Sequence, residues 1–133
     1  MTDFLQIARE SRSIALVGAS NKPERPSYGV MRFLLARGYA VHPVNPGLAG
    51  QELQGRKVYA SLADVPAPVD MVDIFRNTQD AARVIDEAIA LKDALGIRTV
   101  WCQLGVTPVE AGRRAEAAGL TVVMDRCPAI EWR

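Results

Sequence analysis

Five short apolar runs recur along this chain: SIALV (13–17), YAVHPV (39–44), VDMVDIF (69–75), RTVWC (98–102) and LTVVM (120–124). Runs of this length, rich in β-branched residues and bounded by turn residues, read as strands buried in a sheet. The stretches between them carry helical spacing. Val30, Met31, Leu34 and Leu35 share one face of a helix over 27–37, closed by Gly38. Val84, Ile85, Ala88, Ile89 and Leu91 do the same after Asn77-Thr78. Thr107-Pro108-Val109-Glu110 predicts a third helix with Thr107 as its N-cap, ending near Ala118-Gly119. The opening DFLQIARES reads as a short leading helix, 45–60 as a long polar loop and SLADV (61–65) as one helical turn.

Strands alternating with helices specify a parallel sheet with right-handed crossovers. Five of them predict an α/β, Rossmann-like three-layer sandwich with strand order 3-2-1-4-5, a single domain over 1–133. Ligands of such sheets bind beyond the carboxyl ends of the strands, at the switch in strand order, here expected between the first and fourth strands. Gly18–Ser20, Asn45-Pro46, Phe75-Arg76 and Gln103–Gly105 are then expected to converge.

Composition narrows the function. Lys plus Arg number 16 and Asp plus Glu 15, so no global field favours a nucleic acid. No run is long enough to span a membrane, and the first residues lack an apolar signal core, so a cytoplasmic protein is expected. Two cysteines, Cys102 and Cys127, are expected as free thiols. No Cys/His cluster suggests a metal.

The loop VGASNKPERPSYG follows the first strand and opens the first helix. Gly18 allows a tight turn and close approach of a ligand. The helix start near Ser27 offers free N–H groups to a diphosphate. Ser20 and Ser27 add hydroxyls, Lys22 and Arg25 add cations, and Pro23 and Pro26 stiffen the loop. The pattern is neither G-x-G-x-x-G nor a P-loop, and an ordinary strand–helix connection is the plain alternative. At the end of the second strand, Asn45 stands where an NAD-binding unit places a carboxylate for the ribose. A neutral amide there admits a phosphorylated ribose, although Asn45-Pro46-Gly47 also reads simply as a turn. Phe75 and Arg76 can pack on an adenine or meet a phosphate, or can be core and solvated surface respectively. Gln103 can donate to a ligand amide or diphosphate, and Gly105 relaxes its loop.

No catalytic constellation emerges. His42, the one histidine, lies within a strand and reads as a packed imidazole. Asp73 reads as a local cap or pairing partner. Cys127 follows the fifth strand on the ligand side, where Arg126 would favour its thiolate; the alternative is a buried, inert thiol before Pro128.

VGAS (17–20), Pro23-x-Arg25-Pro26, RGYAVHPVNP (37–46), VDMVDIFR (69–76), TVWCQLGV (99–106) and VVMDRCP (122–128) together resemble the small stand-alone CoA-binding proteins. These are similar to the CoA-binding domain of the succinyl-CoA ligase alpha subunit and of ADP-forming acyl-CoA synthetases. The resemblance implies coenzyme A, or an acyl-CoA, as ligand. It places the diphosphate at Gly18, Ala19 and Ser20 and the start of the helix at Ser27 and Tyr28, with Lys22 or Arg25 on a phosphate. Val44, Asn45 and Pro46 would border the adenosine, Phe75 and Arg76 would close over the nucleotide, and the arm would run past Gln103 and Gly105 towards Cys127. The synthetases carry a phosphorylatable histidine in a separate domain that this chain lacks, and no ATP-binding segment is present, so complete synthetase activity is not expected. Two other readings stand beside a non-catalytic CoA-binding module. One is an NADP-dependent oxidoreductase, for which no substrate domain or proton donor is evident. The other is a regulatory nucleotide-binding subunit that docks another protein.

Overall fold

Seven strands and five α-helices follow one another in the computed structural model, which describes residues 2–133. The strands are β1 (Ser13–Val17), β2 (Ala40–Val44), β3 (Glu52–Leu53), β4 (Arg56–Lys57), β5 (Met71–Ile74), β6 (Thr99–Cys102) and β7 (Thr121–Val123). The helices are α1 (Phe4–Glu10), α2 (Pro26–Ala36), α3 (Thr78–Leu95), α4 (Val109–Ala117) and α5 (Pro128–Glu131). The five apolar runs form one parallel sheet, as expected, and helices cover both of its faces.

The strand order differs from the expected one. It is β2-β1-β5-β6-β7, so the run 71–74 pairs with β1 rather than lying outside β2. Val17 registers with Ile74 on one side and with Val44 on the other. The outer edge of β2 is taken by Tyr59, which bridges Val44 in parallel; the Tyr59 N–H donates to the Pro43 carbonyl and the Asn45 N–H to the Tyr59 carbonyl, each at 2.9 Å. Pro43 explains why no full strand pairs there. It has no N–H to donate, and proline is confined to sheet edges for that reason. The switch in strand order therefore falls between β1 and β5, not between the first and fourth runs.

Alternation within the strands divides the core. Ile14, Leu16, Met71 and Trp101 face α1, α2 and α5, together with Met31, Leu34 and Trp132. Ala15, Val17, Val72, Ile74, Val100 and Cys102 face α3 and α4, together with Ile85, Ala88 and Ala115. Each fully buried large apolar side chain contributes on the order of 1.5–3 kcal/mol.

Two further local expectations need correction, and one helix falls where the sequence reading assigned no element. Thr107 does not cap α4, which begins at Val109; its N–H instead donates to Thr78 Oγ1 at 3.2 Å. The polar loop 45–60 contains the hairpin β3–β4. The last residues form α5, which seats Trp132 edge-on against Trp101 at 5.5 Å.

Candidate functional site

The chain leaves β1 through a glycine that no other residue replaces freely. Gly18 has φ +92°, and a Cβ there would strike the carbonyl oxygen of Phe75 on the neighbouring β5. The strand order makes these two residues neighbours, so the backbone at the end of β1 runs directly against the end of β5. The Gly18 and Ala19 N–H groups both donate to the Val44 carbonyl, at 3.0 and 3.2 Å. They hold the loop against β2, so these two N–H groups are not free to donate to a ligand. Asn45 completes this tie. Its Nδ2 donates to the Ala19 carbonyl, and its Oδ1 accepts from the Gly47 N–H, each at 2.8 Å.

Beyond this tie opens a cleft of about 670 Å³, within the usual size range of ligand sites. Its wall includes Gly18, Ala19, Ser20, Lys22, Arg25, Ser27, Asn45, Phe75, Arg76, Gln103 and Cys127, so eleven of the expected site residues do converge. Asn21, Pro26, Val30, Gly47, Leu48, Leu104 and Val106 complete it, none of which the sequence reading assigned to ligand contact. Val44 and Pro46 line a second hollow of about 280 Å³ that shares Gly18 and Arg76 with the first. Tyr28 and Gly105 line neither. The Tyr28 carbonyl accepts from Gln54 Nε2 at 3.1 Å, and the Gly105 N–H donates to Asp125 Oδ1 at 2.7 Å.

One end of the cleft is built for anions. α2 begins with Pro26, which has no N–H, and the capping Arg25 side chain makes no hydrogen bond to the helix. The Ser27 N–H, in the second helical position, therefore has no intrahelical acceptor. Ser20 Oγ accepts from the Lys22 N–H at 3.1 Å and shapes the turn. Lys22 and Arg25 are exposed, and among the described residues neither forms an ion pair, although Glu24 stands between them in sequence. Arg76 is different, being paired with Asp80 at 3.4 Å.

Behind the wall of the cleft, in contact with Gln103, lies a buried carboxylate. Asp73 lies on β5 in register with Leu16 and Trp101, is fully buried, and accepts from Gln103 Nε2 at 2.8 Å through Oδ1. Among the described residues its Oδ2 has no hydrogen-bond partner. Burial pushes its carboxyl up to about 7, against the opposing pull of the Gln103 hydrogen bond. Asp73 is thus neither a cap nor a surface pair; a charged residue inside an apolar run was the signal. Gln103 turns its donating end inward, so it does not offer that N–H to a diphosphate.

Both thiols are buried and free. Burial, and then the charge of Asp73, push Cys102 up to about 12. Burial also raises Cys127, outweighing the N–H groups of Ala129 and Ile130. Arg126 does not depress it: that guanidinium lies over the Phe4 ring, 5.8 Å from its centroid. His42 is half-buried, set edge-on to Tyr59 at 6.1 Å, and lines neither hollow.

The sequence matches the CoA binding domain family over residues 12–133. The uncharacterized protein YneT of Bacillus subtilis is 33% identical over 125 residues, covering 94% of this chain and 88% of that protein. The alpha subunit of the ADP-forming acetate–CoA ligase I of Pyrococcus furiosus is 36% identical over 80 residues; the match covers 57% of this chain and only 17% of that subunit. Among solved structures, a hypothetical protein from Pyrococcus horikoshii OT3 is similar at a TM-score of 0.90 and 39% identity, covering 98% of this chain and 89% of that one. No helix among the described residues is long and apolar enough to cross a membrane.

Proposed function

The chain belongs to the CoA-binding domain family, and from that premise we propose that it binds coenzyme A or an acyl-CoA beyond the carboxyl ends of β1, β5 and β6, without chemistry of its own. The observation that carries this reading is the cleft's polarity. Two unpaired cations and a free helix-start N–H sit at one end, and an apolar wall with a single amide and a thiol sits at the other. That arrangement suits a polyanionic nucleotide joined to a long, neutral, amide-bearing arm.

In this reading Lys22, Arg25 and the Ser27 N–H hold phosphate oxygens, each charge-assisted contact contributing about 1.5–3 kcal/mol. Ser20 adds a hydroxyl. Gly18 keeps the loop clear of side chain, and Asn45 holds the loop in place. Val44 and Pro46, in the smaller hollow, border the adenosine, with Arg76 lining both hollows and Phe75 the larger one. The arm runs past Gln103 to Cys127. The alpha-subunit relative belongs to an acetate–CoA ligase, which supports CoA as the ligand, while the ligase's own reaction is not carried over to a chain that matches 17% of that subunit.

The test is calorimetric titration with CoA and, separately, with NADPH. Saturable one-to-one binding of CoA, tighter than any binding of NADPH, is expected. At a hundred times its dissociation constant CoA should also stabilise the fold by about 2.7 kcal/mol. Binding of NADPH with no response to CoA would replace this reading with an NADP-dependent one.

A further inference from the structure

We propose that Asp73 and Gln103 act as one recognition unit for the pantetheine arm: Asp73 holds the Gln103 Nε2 on its own side and leaves the carbonyl oxygen, Oε1, to the cleft, where it accepts from an N–H or S–H of the arm. The inference rests on the CoA reading and names what that site selects at its second end.

Gln103 lines the cleft yet is itself only 7% exposed. Its Nε2 is committed to Asp73 Oδ1 at 2.8 Å, in a fully buried contact between residues thirty apart in sequence. Above about pH 7, where the carboxyl is ionised, the reversed amide would set Oε1 against a carboxylate oxygen, two acceptors in an apolar interior, where an unpaired polar contact is most unfavourable. The orientation is therefore decided by chemistry rather than by the shape of the side chain. Among the described residues Asp73 Oδ2 finds no donor, so a fully buried, half-satisfied carboxyl stands at a position flanked by Leu16 and Trp101, where an apolar residue would pack. A buried acceptor kept against the interests of stability, and bonded to a cleft residue, points to recognition.

The same carboxyl sorts ligands by charge. It stands behind Gln103 at the end of the cleft lined by Leu104, Val106 and Cys127, remote in character from the Lys22 and Arg25 end. A phosphate would meet an acceptor there, backed by a second acceptor. A neutral chain with amide N–H groups and a terminal thiol would meet a complementary one. CoA supplies both kinds of end.

The experiment compares CoA with 3′-phospho-ADP, its nucleotide half without the arm, and with desulfo-CoA, on wild type, Gln103→Leu and Asp73→Leu. Wild type should bind CoA more tightly than 3′-phospho-ADP. Gln103→Leu should weaken CoA roughly 2- to 12-fold, the range of one neutral hydrogen bond, and leave 3′-phospho-ADP unchanged. Asp73→Leu should show the same split, weaker CoA with 3′-phospho-ADP unchanged; a merely structural role would weaken both ligands together. A loss for CoA alone assigns the donor to the thiol, and an equal loss for desulfo-CoA assigns it to an arm amide. Equal losses for CoA and 3′-phospho-ADP, or no loss in Gln103→Leu, would overturn the proposal. Should Asp73→Leu fail to fold, Gln103→Leu decides alone. Wild type that binds neither CoA nor 3′-phospho-ADP would instead overturn the CoA reading itself.

Discussion

Asn45 holds Ala19 by a 2.8 Å hydrogen bond from its Nδ2 to the Ala19 carbonyl oxygen, tying the end of β2 to the loop that leaves β1. The amide is needed as an amide, because its Oδ1 accepts from the Gly47 N–H at the same time. Asn45→Asp keeps the acceptor and turns the donor into a second acceptor facing a carbonyl. A stability loss of about 1–3 kcal/mol is expected, with weaker CoA binding from the displaced loop. Denaturant unfolding and titration of the variant check both.

Gly18→Ala should be worse than its size suggests. The residue sits at φ +92° and its new methyl would strike the Phe75 carbonyl. Left-handed strain alone accounts for about 1–3 kcal/mol, and relief of the clash requires β1 and β5 to part at the floor of the cleft. Unfolding should show the loss, and CoA affinity should fall with it; a variant as stable as wild type would mean that the loop has another conformation.

Arg25 and Arg37 stand at opposite ends of α2 and should separate binding from stability. Arg25 is exposed and lines the cleft. Arg37 donates to the Trp132 carbonyl at 3.0 Å and lies over the Phe33 ring. Arg25→Ala should weaken CoA roughly 10- to 100-fold with an unchanged melting temperature. Arg37→Ala should lower the melting temperature and leave CoA affinity intact. Equal losses of affinity would remove Arg25 from the phosphate site.

Asp73 should make the fold less stable as pH rises. Its folded carboxyl titrates near 7 and its unfolded one near 3.8. Between those values the folded chain holds a proton that the unfolded chain has released, so this group's stabilising share is full below the unfolded value and is lost as pH rises through the folded one. The stability of Asp73→Leu relative to wild type should therefore grow from about pH 4 to about pH 8, by an amount on the order of a few kcal/mol. Chemical denaturation of both proteins across that range tests it, and a flat difference would place the carboxyl in a polar setting.

Most of this arrangement is legible in the sequence, and the misses have physical causes. The apolar runs mark the five main strands because burial on both faces leaves a continuous hydrophobic signature. Their order was misread although Pro43, inside the second run, already argued for an edge strand with no neighbour beyond it. The two-residue strands β3 and β4 are too short to show a period. Lys22, Arg25 and Ser27 were legible because their chemistry is local to one loop. The roles of Asp73 and Gln103 are not legible, since the partner of each lies thirty residues away, and since local pattern offers an aspartate in an apolar run only a nearby cap or pairing partner.

The two thiols should differ in native alkylation. Cys102 lies wholly inside the α3–α4 face with its thiol pushed up to about 12, so it should react only on unfolding. Cys127 borders the cleft and is 8% exposed. It should react slowly, at a rate that rises with pH and falls when CoA is added. Mass spectrometry of timed samples with and without CoA reads both; protection of Cys102 rather than Cys127 would place the arm elsewhere.

The account's central claim is that CoA lies across the carboxyl ends of β1, β5 and β6 with its phosphates at the start of α2, and amide chemical shifts of an isotope-labelled sample report that placement directly. Titration with CoA should move the backbone amides of Ser20, Asn21 and Ser27 and the side-chain amide of Gln103, and should leave those of Ala88 and Ala115, on the opposite face of the sheet, in place. Shifts confined to α3 and α4, or no shifts at saturating CoA, would contradict it.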